Sequence, residues 1–498
     1  MRPQFQPRHS RNLDFIEKQY RSLFTEDRSR NTQESDGKEK MYHASKSEEK
    51  KYVDTRNIPS GSSIVKPSIE NNPSKKHAGN RDPLFRMDLE KTGMVSETAD
   101  MNVNSRSNIN MLGYQKTADT KDFYYSRSSG AHQTDEPQRD LSQLEEQIKA
   151  TIYGQCMGDA IGLLTEFMSK EEARKNYGMY ADLSFSCKIH DRHRDAWETG
   201  DWTDDSDHML LIMRSLFSKH GKVDTNDFAQ KLYEWSVTGF PELHDVRGMG
   251  LGRTTHAILS HPGFLSNPQK VSQDIWIKRG CVDAPNGGVM RTSILGIHEW
   301  WDVERVEKNA ALICRTTHFD PRCVASAVAV SVAISLMLKR QVPYYDARTK
   351  EYNVKEIIQD SYHRASEYLD KKEDKRELQR YMNCEVLTDL KLDDVNIMGY
   401  TFKCLGAGFW ALKQNHFRSA IQNITMEGGD ADTNCAVAGA LLGCKLGGRY
   451  LLPSTWMSTL ANKSWLRNEI QRYLELHRAM YRTVLQDGGR KPYTHFRY

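Results

Sequence analysis

Two helical segments of this chain carry glycine at every fourth position, and that spacing limits the possible folds more than any other feature of the sequence. In GGDADTNCAVAGALLGCKLGG (Gly428–Gly448) the positions are Gly439, Gly443 and Gly447, and in YGQCMGDAIGLLTEF they are Gly154, Gly158 and Gly162. Residues four apart share a face of an α-helix, so each segment offers a stripe of bare backbone that lets another helix approach closely. Other segments read as helices too. Leu144, Ile148 and Ile152 follow a helical period from about Leu141, an apolar helix is predicted from about Asp205 to Phe217, and a buried one over Met290–Ile297. A further helix starts after Asp320-Pro321, residues 340–396 read as two exposed helices with loops, and GYTFKCLGAGFWALKQ resumes the small-residue pattern. Nothing after residue 140 shows sustained period-two alternation, so the expected class is all-α with unusually close helix packing.

Composition sets the boundary of that domain. All nine Cys and all nine Trp lie after residue 140. Residues 1–140 are rich in Ser, Asn, Lys, Arg and Asp and poor in large aliphatics, the composition of a disordered polar tail, with one short helix conceivable around Asn12–Phe24. Residues 141–498 are ample for one large core. The cysteines form no CxxC pair, so they read as reduced and mostly buried, which fits cytoplasm or nucleus. The net charge of +4 includes no dominant basic block, so nucleic acid is not indicated. The run CVASAVAVSVAISLML contains serines and lies deep in the chain, so a core helix is expected and no membrane span. The start MRPQFQPRHSRN resembles a transit peptide only until Asp14 and Glu17.

Two acidic clusters carry the chemistry. Asp430 and Asp432 are followed by Thr433 at one predicted helix start; Thr203, Asp204 and Asp205 stand at another. Hard oxygen donors with no Cys or His among them suit Mg²⁺, Mn²⁺ or Ca²⁺. The plain alternative is that these acids cap helices and complement their dipoles. Two adjacent acids after a threonine, with Asp201 and Asp207 close by, exceed what capping requires and call for a compensating cation. Glu166 is the next position on the Gly154–Gly162 stripe, either a carboxylate facing a ligand or a salt-bridged surface acid; Asp159 reads as a hydrogen-bonding structural acid. Asn286, Gly287 and Gly288 make a tight turn able to hold ligand oxygens, or simply a turn, and His318 precedes a helix start. Gly248, Gly250 and Gly252 could cradle phosphate but lack the preceding strand of a dinucleotide site, and HDRH (His190–His193) reads as a polar loop rather than a zinc pair.

Taken in order, GDAIGLLTEF, GDWTDDS, NGGVMR, THFDP and GGDADT resemble the ADP-ribosylglycohydrolases over about residues 145–465. That resemblance implies a compact all-α, single-domain orthogonal helix bundle with two Mg²⁺ or Mn²⁺ ions. It implies metal ligation by Thr203, Asp204, Asp205, Asp430, Asp432 and Thr433, with Glu166 beside the scissile bond. Asn286, Gly287, Gly288 and His318 would line the substrate; Ala431, where many members carry Thr, falls between ligands, and Asp245 is only a candidate for recognising an arginine acceptor. The implied activity is cleavage of the glycosidic bond between ADP-ribose and a protein or small-molecule acceptor through an oxocarbenium-like state. The rival readings are a non-catalytic ADP-ribose-binding or crystallin-like structural protein on the same fold, and a dinuclear phosphohydrolase.

Overall fold

The two helices with glycine stripes, Leu141–Gly162 and Ala431–Leu446, pack against each other. A Cβ on Gly154 would stand 2.3 Å from the Gly439 carbonyl oxygen, one on Gly158 2.1 Å from that of Cys435, and one on Gly162 2.3 Å from that of Ala431. From the other side, Gly439 meets the Gly154 carbonyl at 2.0 Å and Gly443 that of Ala150 at 2.3 Å. Only hydrogen fits at these contacts, and the pairing runs antiparallel. Gly447 is not part of the stripe. It adopts φ +75 after the last turn and donates its N–H to the Gly443 carbonyl, so it ends the helix.

This computed structural model describes residues 141–179 and 182–486; the tail expected over 1–140, with its short helix near Asn12–Phe24, lies outside the described residues. Among the described residues, α1 (Leu141–Gly162), α2 (Lys170–Tyr177), α3 (Asp204–Ser218), α4 (Thr225–Thr238), α5 (Arg253–Leu259) and α6 (Pro268–Lys278) come first. Then follow α7 (Ser293–Ile297), α8 (Val303–Arg315), α9 (Pro321–Lys339), α10 (Val354–Ser366), α11 (Lys372–Met382) and α12 (Thr401–Leu412). The last are α13 (Phe417–Thr425), α14 (Ala431–Leu446), α15 (Ser454–Thr459) and α16 (Lys463–Gln486). The all-α class holds, apart from one antiparallel pair, β1 (Tyr345–Asp346) with β2 (Glu351–Tyr352), in register Tyr345 opposite Tyr352.

The core is continuous, and α9 runs through it. Asp320 caps this helix by accepting the Arg322 N–H, and Pro321 takes the first helical position, where its missing N–H costs nothing. Every residue from Cys323 to Leu338 is buried, against α7, α8, α10 and α12 among others. The helix is long and apolar enough to cross a membrane by composition alone, yet 89% of that window is buried within the protein. In α10 and α11 only one face is buried, carrying Ile357, Ile358 and Ala365 on the first and Leu378 and Met382 on the second. Of the nine free cysteines, Cys187 and Cys281 are exposed, Cys384 is half-buried, and six are buried.

Candidate active site

The antiparallel glycine pairing places the site. With Gly162 against Ala431, the C-terminal end of α1 lies beside the N-terminal end of α14. The turn after α1 is tied there by two backbone bonds, Phe167 N–H to the Gly429 carbonyl (2.7 Å) and Gly429 N–H to the Met168 carbonyl (2.8 Å). Gly428 and Gly429 both have φ +70, and a Cβ on Gly429 would stand 2.0 Å from the Leu392 carbonyl, so only glycine serves there. Asp159, one residue past Gly158, then reaches the start of α3. Its Oδ1 accepts from Thr203 N–H (3.0 Å) and the Thr203 hydroxyl (2.9 Å), and its Oδ2 from Ser206 N–H (3.0 Å).

Capping is therefore not what the two acidic clusters do. Thr203 and Asp430 occupy the N-cap positions of α3 and α14, and neither side chain makes a capping hydrogen bond. Asp159 instead serves the Thr203 and Ser206 N–H groups at the start of α3. The carboxylates turn toward one another in two groups, Asp159 with Asp205 and Asp432, and Glu166 with Asp430 and Asp432; in each, one oxygen per residue lies within 4.8 Å of the others. Asp432 belongs to both. The Thr203 hydroxyl, whose proton Asp159 Oδ1 accepts, also lies 3.0 Å from Asp205 Oδ2 and 3.4 Å from Asp432 Oδ2, while Thr433 stands beside Asp205 and Asp430. Asp204 belongs to neither group, though it lies near enough to Asp159, Glu166 and Asp430 to feel their charge. Its Oδ2 is 3.9 Å from His208 Nε2, and the loop at Gly250 (φ +90) passes so close that a Cβ there would lie 2.2 Å from Asp204 Oδ1.

This arrangement is electrostatically costly. Burial, followed by mutual repulsion, pushes the carboxyls of Asp204, Asp205 and Asp432 well above the usual range. Burial raises Asp430 as well, with Glu166 repelling it, and raises Asp159 to about 7 against the pull of its hydrogen bonds. Asp205 Oδ1 and Asp432 Oδ1 are buried with no hydrogen-bond partner. A buried carboxylate oxygen without a donor is expensive unless a cation supplies the missing charge. The donor set, all oxygen, fits a divalent cation.

The expected substrate-lining residues come together at the edge of this cluster. Asn286–Gly288 form a 3₁₀ turn held by Asn286 N–H to the Gly399 carbonyl (2.9 Å), and Asn286 Nδ2 donates to Asp430 Oδ2 (2.9 Å). His318 packs on the turn, where a Cβ on Gly287 would lie 2.9 Å from His318 Cε1. Its Nδ1 pairs with the Thr317 hydroxyl (2.8 Å), which accepts from Arg291 Nη2 (2.7 Å). Burial, with the Arg291 charge adding, drops the His318 pKa well below its ordinary value, so the ring is neutral. Asp245 accepts the Phe240 N–H of its own loop (2.8 Å).

Glu166 reaches the site by a different route from the one its spacing implies. Helix α1 stops at Gly162, and Glu166 lies in the following turn, just before Phe167 at φ 62. Its Oε2 accepts from His193 Nε2 (2.7 Å). Burial lowers the pKa of His193, the Glu166 carboxylate raises it, and the net shift is upward. This histidine is absent from the sequence-based site. The other half of the HDRH pair, His190, sits on the surface with Asp195. An open cavity of about 310 Å³ adjoins Glu166 and is lined by Phe167, Asn176, Ile189 and His193 among others.

The profile of the ADP-ribosylglycohydrolase family matches residues 140–483. The chain belongs to that family. An ADP-ribosylglycohydrolase hydrolyses ADP-ribose linkages, and this chain is such an enzyme. It is 24% identical to the ADP-ribosyl-[dinitrogen reductase] glycohydrolase of Rhodospirillum rubrum over 65% of this chain and 92% of that one. It is 22% identical to the ADP-ribosylarginine hydrolase Tri1 of Serratia proteamaculans over 64% of this chain and 76% of the relative. A solved ADP-ribosylglycohydrolase-related protein complex aligns with a TM-score of 0.45 and 20% identity, covering 68% of this chain and 99% of that one.

Proposed function

We propose that this ADP-ribosylglycohydrolase is metal-dependent and cleaves the glycosidic bond joining ADP-ribose to an acceptor at a dinuclear Mg²⁺ or Mn²⁺ centre. The observation that carries this reading is the pair of three-carboxylate groups sharing Asp432, with buried oxygens of Asp205 and Asp432 left unpaired. Thr203, Asp204, Asp205, Asp430, Asp432 and Thr433 would hold the ions, and Asp159 is a further donor within reach. Cations bound there would supply Lewis-acid chemistry to the cleavage.

The chain's own groups do the rest. Asn286, Gly287, Gly288 and His318 bind and orient the ADP-ribose, with neutral His318 able to donate one hydrogen bond. Glu166 is the acid–base group. Water adds its oxygen to the anomeric carbon, the bond from that carbon to the acceptor breaks, and the proton lost by water and gained by the acceptor passes through the Glu166 carboxylate. The names of the relatives point to an ADP-ribosylated protein as substrate, with small-molecule conjugates of the same linkage as the alternative acceptor. Residues 141–498 form the catalytic domain, residues 1–140 are a tail outside it, and the free thiols fit cytoplasm or nucleus. The test is metal-replete protein offered a panel of ADP-ribosylated acceptors, with products identified by mass. Intact ADP-ribose is the expected product. Phosphate or AMP would make the protein a phosphohydrolase, and ADP-ribose binding with no cleavage of any acceptor would make it a binder.

A further inference from the structure

We propose that His193 is the positioning residue for Glu166, an inference that rests on Glu166 being the acid–base group. The segment Asp191–Arg194 grips the turn after α1 at three points. Arg194, a buried arginine, donates from Nε to the Leu164 carbonyl (2.7 Å) and from Nη2 to the Glu166 carbonyl (2.5 Å), fixing the backbone. His193 holds the side chain, donating from Nε2 to Glu166 Oε2 at 2.7 Å.

The donor is itself held in place. The imidazole packs against Phe167 (centroids 5.0 Å apart) and Trp197 (5.2 Å, edge-on), and the His193 backbone N–H donates to Asp191 Oδ1 at 3.0 Å. Asp191 also receives the Arg194 N–H and Nη1, so one carboxylate anchors the His193 backbone and the Arg194 side chain. A glutamate on a turn would otherwise sample several rotamers. The bond from His193 to Oε2 restricts the carboxylate to one of these. Asp430 and Asp432 lie within ion-sharing distance of the same carboxylate, and the cavity opens beside it. Misplacing a reacting group by about 1 Å can cost ~10²-fold in rate, so a single hydrogen bond that fixes the carboxylate is a kinetic determinant.

The experiment compares His193→Leu, His193→Gln, Glu166→Gln and the His193→Leu/Glu166→Gln double variant as full-length, metal-replete protein. It reads kcat, KM, metal content and affinity for ADP-ribose. His193→Leu should lower kcat by roughly 10–100-fold while KM, metal content and ADP-ribose affinity stay within about threefold, because no ligand contact is removed. His193→Gln, whose amide N–H can reach the same oxygen, should restore most of the turnover. The double variant should be no slower than Glu166→Gln alone, since the two residues act as one unit. If His193→Leu turns over normally while Glu166→Gln is slow, the positioning role is overturned and the role of Glu166 stands. If Glu166→Gln is itself normal, the acid–base reading fails first. Loss of metal or of folding in His193→Leu that Gln does not reverse would make His193 a structural residue. Should His193→Leu not fold, His193→Asn, too short to reach Glu166, takes its place.

Discussion

Asp432 carries an oxygen into both carboxylate groups, whereas Asp430 belongs only to the group with Glu166, and Asp205 only to the group with Asp159. Substituting them should therefore have unequal effects on metal binding. Asp432→Ala should lose both equivalents of Mn²⁺ in titration calorimetry, and Asp430→Ala should keep one, with turnover abolished in both. Equal stoichiometry in the two variants would disprove the shared-ligand arrangement. Asp432→Asn also removes a buried like charge, so without metal it should melt above the wild type. These acids are legible in the sequence because crowding of like charge at a helix start is a local pattern. His193 is not legible. It stands 27 residues from Glu166 in an irregular loop, and no periodicity or spacing connects them. Only the fold brings the imidazole to the carboxylate.

At the level of elements, the glycine stripes were legible as faces, and their mutual pairing was the simplest consequence. Two details escaped the four-residue spacing. Gly447 continues the spacing but ends α14, and Glu166 continues it but lies beyond the end of α1. Spacing says nothing of where a helix stops, which here is set by the Gly429 backbone capturing the Phe167 turn. The short β1–β2 pair was too brief to show alternation. The stripe can be tested at Gly158. Alanine there would gain about 1 kcal/mol of helix propensity. Its methyl would nonetheless stand 2.1 Å from the Cys435 carbonyl oxygen, a backbone atom that no rotamer change can move. Overpacking typically costs about 1–3 kcal/mol, and a backbone clash this close belongs at the upper end, so the clash wins. Gly158→Ala should melt several degrees lower than wild type, and it should bind metal more weakly because Asp159 moves with it. An unchanged melting temperature would mean that the helices do not approach as closely as described.

For the whole molecule, the family profile begins at residue 140, where the composition of the chain changes. Deleting residues 1–140 should leave turnover and melting nearly unchanged; loss of either would place part of the domain in that segment. The proposed metal site would link the domain's stability to pH and to cation. The buried cluster has folded-state pKa values raised above the ordinary aspartate value, with Asp159 at about 7. A carboxyl with a raised folded pKa stabilises fully below its unfolded value near 3.8, and that contribution is lost as pH rises through the folded value. Metal-free protein should therefore lose the Asp159 contribution between about pH 4 and pH 7, and the contributions of Asp205 and Asp432 as pH rises through their own raised values. Buried His298, donating to the Gly221 carbonyl and pushed by burial to about 4, works in the opposite sense. Its contribution is present above about 6.5 and is lost as pH falls toward 4, so a single melting curve against pH mixes the two slopes. The difference between curves with and without cation cancels the histidine, which touches no carboxylate of the site. At the proposed metal site protons and cations would compete for the same oxygens, so the gain from saturating Mn²⁺ should be on the order of 5 °C at pH 8. It should shrink toward zero by pH 5. A gain equal at both pH values would remove the cations from this cluster, whatever the enzyme's activity.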